Sequence, residues 1–397
     1  MWYNHSMYSI KKSRFILLLI AAAVAGAAVF FGVSRALSGA GYGTATISAS
    51  EYRQMKEMSE RYEDLEQVYQ RINKEYYQDV DPEKLIVGAT KGMVNSLGDK
   101  YSSYMTKAEY DQWYSTVTGE YEGIGVTFVM EKKGQGSVVL VSEGSPAEKA
   151  GIKAGDVITK VNGKTFSDAD KMSAEIRGDI GTEVKVTYVR DKKEKTVTII
   201  RDKIVNKSVS SQVLAGDLGY IRIASFESST YEDFRAALDS MEKKKVKGFI
   251  IDLRDNGGGL VETAVDTADD LLGKGNITYL QDRAGKKEYI DSDARKTDLP
   301  YVILVNGNTA SASEIVTAAV QDNKGGKIVG TKTFGKGIVQ STDTLDDGSA
   351  LEITVLQYFS PDGHAIHKKG IKPDYVVKDD PKTDEDEQLE KAKGLLR

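Results

Sequence analysis

Residues 301–322 read YVILVNGNTASASEIVTAAVQD: an unbroken apolar run, a turn of small and polar residues, then apolar residues at helical spacing. The run predicts a buried strand. A strand–turn–helix order would present a serine hydroxyl at the mouth of an α/β layer, a common place for nucleophiles. The same letters have a plainer use: Ser311-x-x-Glu314 ahead of Ile315 and Val316 has the form of a capping box. On this segment alone, capping is the simpler reading.

Outward from this stretch, the apolar runs GYIRIASF (219–226) and KGFIIDL (247–253) alternate with helical patterns over 231–243, 260–272 and 313–323. Such alternation predicts an α/β domain. Upstream, between residues 121 and 201, the texture changes to short β-rich runs separated by Gly, Lys and Asp turns, which marks a separate small module. Further upstream, residues 51–77 place Tyr52, Met55, Tyr62, Leu65, Val68, Ile72 and Tyr76 at three- and four-residue spacings, an amphipathic helix that can face a second copy or its own body. A second helix is expected from Pro82 to Ser96.

Residues 15–33, FILLLIAAAVAGAAVFFGV, carry no charge and follow Lys11, Lys12 and Arg14. Their length suits a membrane-crossing helix, and the basic flank places the N-terminus in the cytoplasm and the remainder outside. An uncleaved anchor fits better than a cleaved signal peptide, whose apolar region is usually shorter. The expected localisation is therefore the cell membrane, single-pass, with the body extracytoplasmic. The expected divisions are a stub and anchor over 1–35, a linker and helical region over 36–115, the small module over 116–203, the α/β core over 204–378 and a charged tail over 379–397.

Composition narrows the chemistry. With 54 Lys+Arg against 59 Asp+Glu, the 397 residues carry a formal charge of -5, which supplies no broad basic surface for nucleic acid. The chain has no cysteine, so disulfides, zinc thiolates and a thiol nucleophile are excluded. His5 precedes the apolar segment, leaving His364 and His367, with no His-Glu-x-x-His and no Gly-x-Ser-x-Gly. Metalloprotease and histidine-assisted serine chemistry both lack their parts, and the two histidines read as loop residues. The glycine-rich turn NGGG at 256–259 matches neither common nucleotide-binding pattern.

A serine without histidine needs another base. In TKTFGKGIVQ (331–340), Lys336 stands between two glycines at the start of a strand-like run, and strand alternation would set Lys336, Ile338 and Gln340 on one side. A lysine acts as a base only if its pKa falls from about 10.4 toward about 7 to 8. Burial can supply that shift where no carboxylate stands alongside, and neutral Gln340 can orient the amine without restoring its charge. In the segment 249–266, FIIDLRDNGGGLVETAVD, the turn after the strand exposes N–H groups suited to a developing oxyanion.

In the small module, EGIGVTFV (122–129) puts two glycines ahead of a strand. SEGSPAEKAGIKAGDVITKVNGK (142–164) adds a helix opened by Pro146, a strand and an Asn-Gly hairpin. In that order these resemble a PDZ domain. The resemblance implies capture of a peptide C-terminus by strand addition, its carboxylate held by N–H groups of Gly123, Ile124, Gly125 and Val126. Arg177, in IRGDIGTEV (176–184), is a further candidate, either a surface charge or a link to the body.

Taken together, ATKGMVNSLGDKYSSYM (89–105), the PDZ-like module, IDLRDNGGG, TASASEIVTAAVQD, TFGKGIVQ and YFSPDGHAIHKKGIKPD (358–374) resemble the C-terminal processing peptidases, or tail-specific proteases, in order and spacing. The resemblance implies a multidomain α/β fold: a crotonase-like (ClpP/crotonase-type) peptidase core, an inserted PDZ domain and N-terminal helices that dimerise. It implies Ser311 as nucleophile, Lys336 as base and Gln340 as its orienting partner, with an oxyanion hole of Gly257 and Ala312 and Gly258 as the neighbouring alternative. Asp322 stands at a family Asp and reads as structural. No metal or organic cofactor is implied, and the partners are protein or peptide substrates with free C-termini. Two departures stand out. Thr309 replaces a usual serine, and Leu97-Gly98-Asp99 replaces a usual Leu-Asp-Pro. Neither is expected to touch the chemistry. The other reading, a catalytically idle membrane-bound PDZ scaffold, would not need Ser311, Lys336 and Gln340 together.

Overall fold

The computed structural model describes residues 26, 27, 29, 33, 35, 47–132, 134–293, 295–378, 383 and 385–397. The expected anchor over 15–33 lies outside the described residues apart from isolated positions, as do most of the linker and the start of the charged tail. Among the described residues, no helix is long and apolar enough to cross a membrane.

The chain divides into two compact units, Met1–Ile86 and Val87–Arg397. In the first, a helix spans Ala49–Glu75, started by a capping box in which Glu51 N–H donates to Ser48 Oγ at 3.1 Å and Ser48 N–H to Glu51 Oε2 at 2.7 Å. None of its residues is buried, and Tyr52, Met55, Leu65 and Val68 stay exposed. A second helix spans Pro82–Asn95.

In the second unit, five antiparallel strands lie in the order Val126–Lys132, Gln135–Val141, Val157–Val161, Glu183–Arg190 and Lys193–Ile200. Alternation along Glu183–Arg190 turns Val184 and Val186 inward against Ile158, Val161 and Met172. Met172 comes from the helix Ala169–Ile176, which Asp168 caps by accepting Lys171 N–H at 2.9 Å. The chain enters and leaves this module through a two-stranded ribbon, Glu120–Gly123 against Asp202–Val205. Val126–Lys132 is therefore an edge strand, beside the entry loop.

The larger part is built on a six-stranded sheet ordered Tyr375–Val376, Lys327–Gly330, Tyr301–Val305, Gly248–Asp252, Leu218–Ile223 and Val209–Leu214, parallel except for the last pair. Every residue of Gly248–Asp252 and Tyr301–Val305 is buried, as unbroken apolar runs in a two-faced parallel sheet require. Phe249, Ile251, Ile303 and Val305 face the helices Thr230–Lys243, Val261–Leu271 and Ala312–Asp322. Ile250, Val302 and Leu304 point the other way, against Leu389 and Ala392 of the C-terminal helix Glu387–Leu395. The architecture is thus multidomain α/β.

A second sheet centres on Ala350–Phe359, which pairs with Ser103–Met105, Ile338–Thr344 and Gly275–Gln281, the last also pairing with Lys287–Ser292. Two structural consequences position the site. Ser311 and Gly257 both follow the carboxyl ends of adjacent parallel strands, where α/β sheets open their crevices. The second sheet brings residues 338–344 and 350–359 up to the same opening.

Candidate active site

Ser311 sits on a turn whose backbone an ordinary residue rarely adopts, with φ 56° and ψ -121°. The turn is held from several sides. Asn256 accepts Ala310 N–H at 3.0 Å and Ser313 Oγ–H at 3.2 Å on its carbonyl, while its side chain donates to Ile223 O at 2.9 Å. Thr309, the departure from the usual serine, donates its hydroxyl to Leu253 O at 2.8 Å and accepts Asn306 N–H at 2.9 Å. The anticipated capping pair is present in its carboxylate half, Ser311 N–H donating to Glu314 Oε2 at 3.0 Å. Glu314 N–H also reaches the Ser311 carbonyl, at 2.8 Å, so the start of the helix does not depend on the hydroxyl.

Glu314 does more than the sequence suggested. Fully buried, its carboxylate also accepts Thr333 Oγ1–H at 2.5 Å, Gly335 N–H at 2.8 Å and Lys336 N–H at 2.8 Å. One side chain thereby joins the turn of Ser311 to the loop of Lys336, with burial pushing its pKa up against those hydrogen bonds. The Tyr358 hydroxyl, also buried, reaches the carbonyl of Ser311 at 2.9 Å and that of Lys336. Neither role has a local signal in the sequence, because each partner set is assembled from distant segments.

Lys336 precedes the strand Ile338–Thr344 rather than starting it, and a register shift between Val339 and Gln340 breaks the alternation expected to align 336, 338 and 340. Lys336, Ile338 and Gln340 nevertheless line one cleft of about 560 Å³ together with Ser311, Gly257 and Gly258. Both flanking glycines are close-packed: a Cβ on Gly335 would lie 2.8 Å from Gly370 N, and one on Gly337 would lie 2.3 Å from His367 N. The Lys336 ammonium nitrogen stands over the Tyr101 ring, 4.9 Å from its centroid. Burial lowers its pKa from 10.5, while the charges of Glu352 and Asp99 pull it back up and Lys100 pushes it down. Glu352 lines the same cleft, so a carboxylate stands in the surroundings of the amine and burial is not the sole influence on it.

Asp99 corrects a second expectation, that the Leu97-Gly98-Asp99 departure is remote from the chemistry. Its Oδ2 accepts Thr354 Oγ1–H at 2.6 Å and Ser102 Oγ–H at 2.7 Å, and Thr354 Oγ1 in turn accepts Gln340 Nε2–H at 3.1 Å. Gln340 is thus oriented by a chain of hydrogen bonds ending on Asp99.

Among the backbone donors, Gly258 N–H is committed to Asn256 Oδ1 at 2.9 Å. Gly258 itself is required by close approach: at φ 103° its Cβ would fall 2.7 Å from Ser311 Cβ. Gly257 is exposed, with nothing within 4 Å of its Cβ position, and Ala312 opens the helix beside it. Asp322 Oδ2 accepts Asp362 N–H at 3.0 Å, tying a loop rather than facing the cleft. His364 and His367 lie in that same loop, where Ser360 N–H donates to the His364 carbonyl at 3.0 Å.

A second groove is lined by Gly123, Ile124, Gly125, Val126, Ile176 and Arg177. The Ile124 carbonyl accepts Ala147 N–H at 2.8 Å and the Gly125 carbonyl Ser142 N–H at 2.9 Å, fixing the loop to the start of the helix Pro146–Lys149. Gly125, at φ 80°, has Ser145 where a Cβ would be. Arg177 lies over the Tyr121 ring at 5.6 Å. The helix Lys107–Thr118 contributes to both openings, and its Thr116 lines both.

Residues 217–377 match the model of peptidase family S41, residues 123–200 that of the PDZ domain, and residues 23–109 that of the activating protease CtpB N-terminal domain. The chain is 42% identical over 318 residues to the carboxy-terminal processing protease CtpA of Bacillus subtilis, covering 79% of this chain and 68% of that protein. It is 40% identical over 379 residues to a probable CtpA-like serine protease of Staphylococcus saprophyticus, covering 93% and 74%. Among solved structures, the photosystem II D1 C-terminal processing protease is similar at 28% identity and a TM-score of 0.49, covering 83% of this chain and 89% of that one. The chain belongs to the carboxy-terminal processing proteases of peptidase family S41, serine-type enzymes that carry a PDZ domain.

Proposed function

We propose that this protein is an endopeptidase that takes the C-terminal end of a protein in its PDZ groove and cleaves an upstream bond by a Ser–Lys mechanism. The observation that carries the reading is the cleft in which Ser311, Lys336, Gln340 and Gly257 meet. In the proposed cycle, neutral Lys336 takes the Ser311 hydroxyl proton as the oxygen attacks the substrate carbonyl, and later returns it to the leaving amine. The N–H groups of Gly257 and Ala312 stabilise the oxyanion, with the Gly258 N–H retained for Asn256. Gln340, held by Thr354, orients the amine. Water then hydrolyses the acyl-enzyme.

The peptide end adds to the edge strand Val126–Lys132, its carboxylate received by the loop of Gly123, Ile124, Gly125 and Val126, with Arg177 beside it. The shared wall at Thr116 favours a continuous path from this groove to Ser311. The helix-covered parallel sheet with its second sheet supports a crotonase-type core. Lys11, Lys12 and Arg14 ahead of the apolar run 15–33 support an N-terminal membrane anchor with the catalytic part outside. The exposed apolar residues of Ala49–Glu75 support pairing with a second copy.

The test incubates wild type and Ser311→Ala with unfolded proteins bearing varied C-termini and reads the products by mass. Cleavage by wild type alone supports the reading, and peptide binding without cleavage by either supports the idle scaffold. Amidating the substrate's C-terminus should weaken binding, and an unchanged affinity refutes carboxylate capture.

A further inference from the structure

We propose that Glu352 is a specificity-determining residue that draws a cationic side chain, Lys or Arg, of the substrate into the cleft beside Ser311. The inference rests on the peptidase reading above and adds the substrate class.

Glu352 lies on the strand Ala350–Phe359, opposite Thr342 on one side and Ser103 on the other. Its neighbour at the next inward-facing position, Thr354, is the residue that holds Gln340. Of the residues lining the cleft, Lys336 and Glu352 alone are ionisable, and Trp113, Phe226, Leu260, Val261 and Ile338 make much of the wall. The carboxylate is half-buried and accepts one hydrogen bond, from Ser103 Oγ at 3.3 Å. Among the described residues no cation lies within ion-pairing distance of it, whereas Glu109, Asp156 and Asp386 each hold one.

The charge state of the working enzyme decides what the cleft attracts. Lys336 must be neutral to accept the Ser311 proton, and in that form Glu352 is the one charged group among the described residues that line the cleft, with Asp99 and Lys100 acting from outside that lining. A carboxylate partly withdrawn from water and left unpaired is costly, and burial raises its pKa accordingly. An arriving ammonium or guanidinium relieves that cost by pairing with it, whereas an acidic side chain adds repulsion. The apolar side chains of the wall strengthen the pairing by lowering the local dielectric.

The experiment uses the full chain and matched peptides that differ at one position, scanned through the three residues on each side of the cleaved bond, carrying Arg, its neutral isostere citrulline, or Glu. At one position, kcat/KM for Arg should exceed that for citrulline by about tenfold, the factor expected of one charge-assisted contact, with Glu poorest. Glu352→Gln should level Arg and citrulline, while Glu352→Asp should keep the preference. Because each ratio is taken within one protein, a change in overall rate does not affect it. Equal rates for Arg and citrulline at every position overturn the inference and leave the peptidase reading intact, as does a preference that survives in Glu352→Gln. If wild type cleaves no peptide or unfolded protein, the peptidase reading itself falls.

Discussion

Ser311 and Lys336 are tied through a single atom: Glu314 Oε2 accepts the backbone N–H of Ser311 at 3.0 Å and that of Lys336 at 2.8 Å. With Thr333 and Gly335 on its other oxygen, the carboxylate serves four donors from two loops. Glu314→Ala would leave all four without a partner at about 1–3 kcal/mol each where water cannot replace it. A melting curve should show a loss of about 4 kcal/mol or more. Cleavage should fall by about a hundredfold in any protein that remains folded, since an ångström of misplacement suffices for that.

Tyr358 gives a milder test of the same clamp. Its hydroxyl supports the carbonyls of both Ser311 and Lys336, and Tyr358→Phe removes it without opening a cavity. Stability should drop by about 1–2 kcal/mol. We expect kcat to fall by about tenfold with KM little changed, because the residue touches the two loops rather than the substrate. An unaltered kcat would separate the clamp from catalysis.

The glycines around the site should respond unequally. In Gly337→Ala the new methyl meets His367 backbone atoms at 2.3 and 2.9 Å, neither of which can swing aside. The expected cost is about 1–3 kcal/mol, with cleavage lost as Lys336 is displaced. Gly257→Ala meets nothing within 4 Å, so its melt should stay within about 0.5 kcal/mol of wild type while its methyl crowds the cleft and slows turnover.

The pH dependence has a definite sign. Lys336 works unprotonated, so activity should climb as pH rises through its pKa, and burial sets that midpoint below the ordinary 10.5. Glu352 and Asp99 favour the protonated form, Lys100 opposes it, and the Tyr101 ring attracts the ammonium. Glu352→Gln should therefore shift the rising limb to lower pH, as read from kcat/KM on a citrulline peptide. A shift to higher pH would mean that Glu352 does not act on Lys336 through its charge.

Much of the frame is legible in the sequence because its signals are local. Unbroken apolar runs at 248–252 and 301–305 give buried parallel strands, and the helix after Ser311 begins within a residue of its expected start. What the letters hide is tertiary. A bulge between Val339 and Gln340 changes which side chains share a face, and no periodicity announces it. Asp99 reaches Gln340 only through Thr354, a partner 255 positions away in sequence. Glu314 looks like an ordinary capping residue until the loop of Lys336 folds onto it. Glu352 lies in an alternating strand whose orientation toward the cleft depends on pairing with Ser103–Met105 and Ile338–Thr344.

The most direct measurement compares Lys336→Ala with wild type on one unfolded protein substrate, after circular dichroism and melting show both folded. Loss of cleavage to the level of Ser311→Ala is the predicted result. Cleavage by Lys336→Ala at the wild-type rate would contradict the account, because the proton of Ser311 would then be taken by some other group.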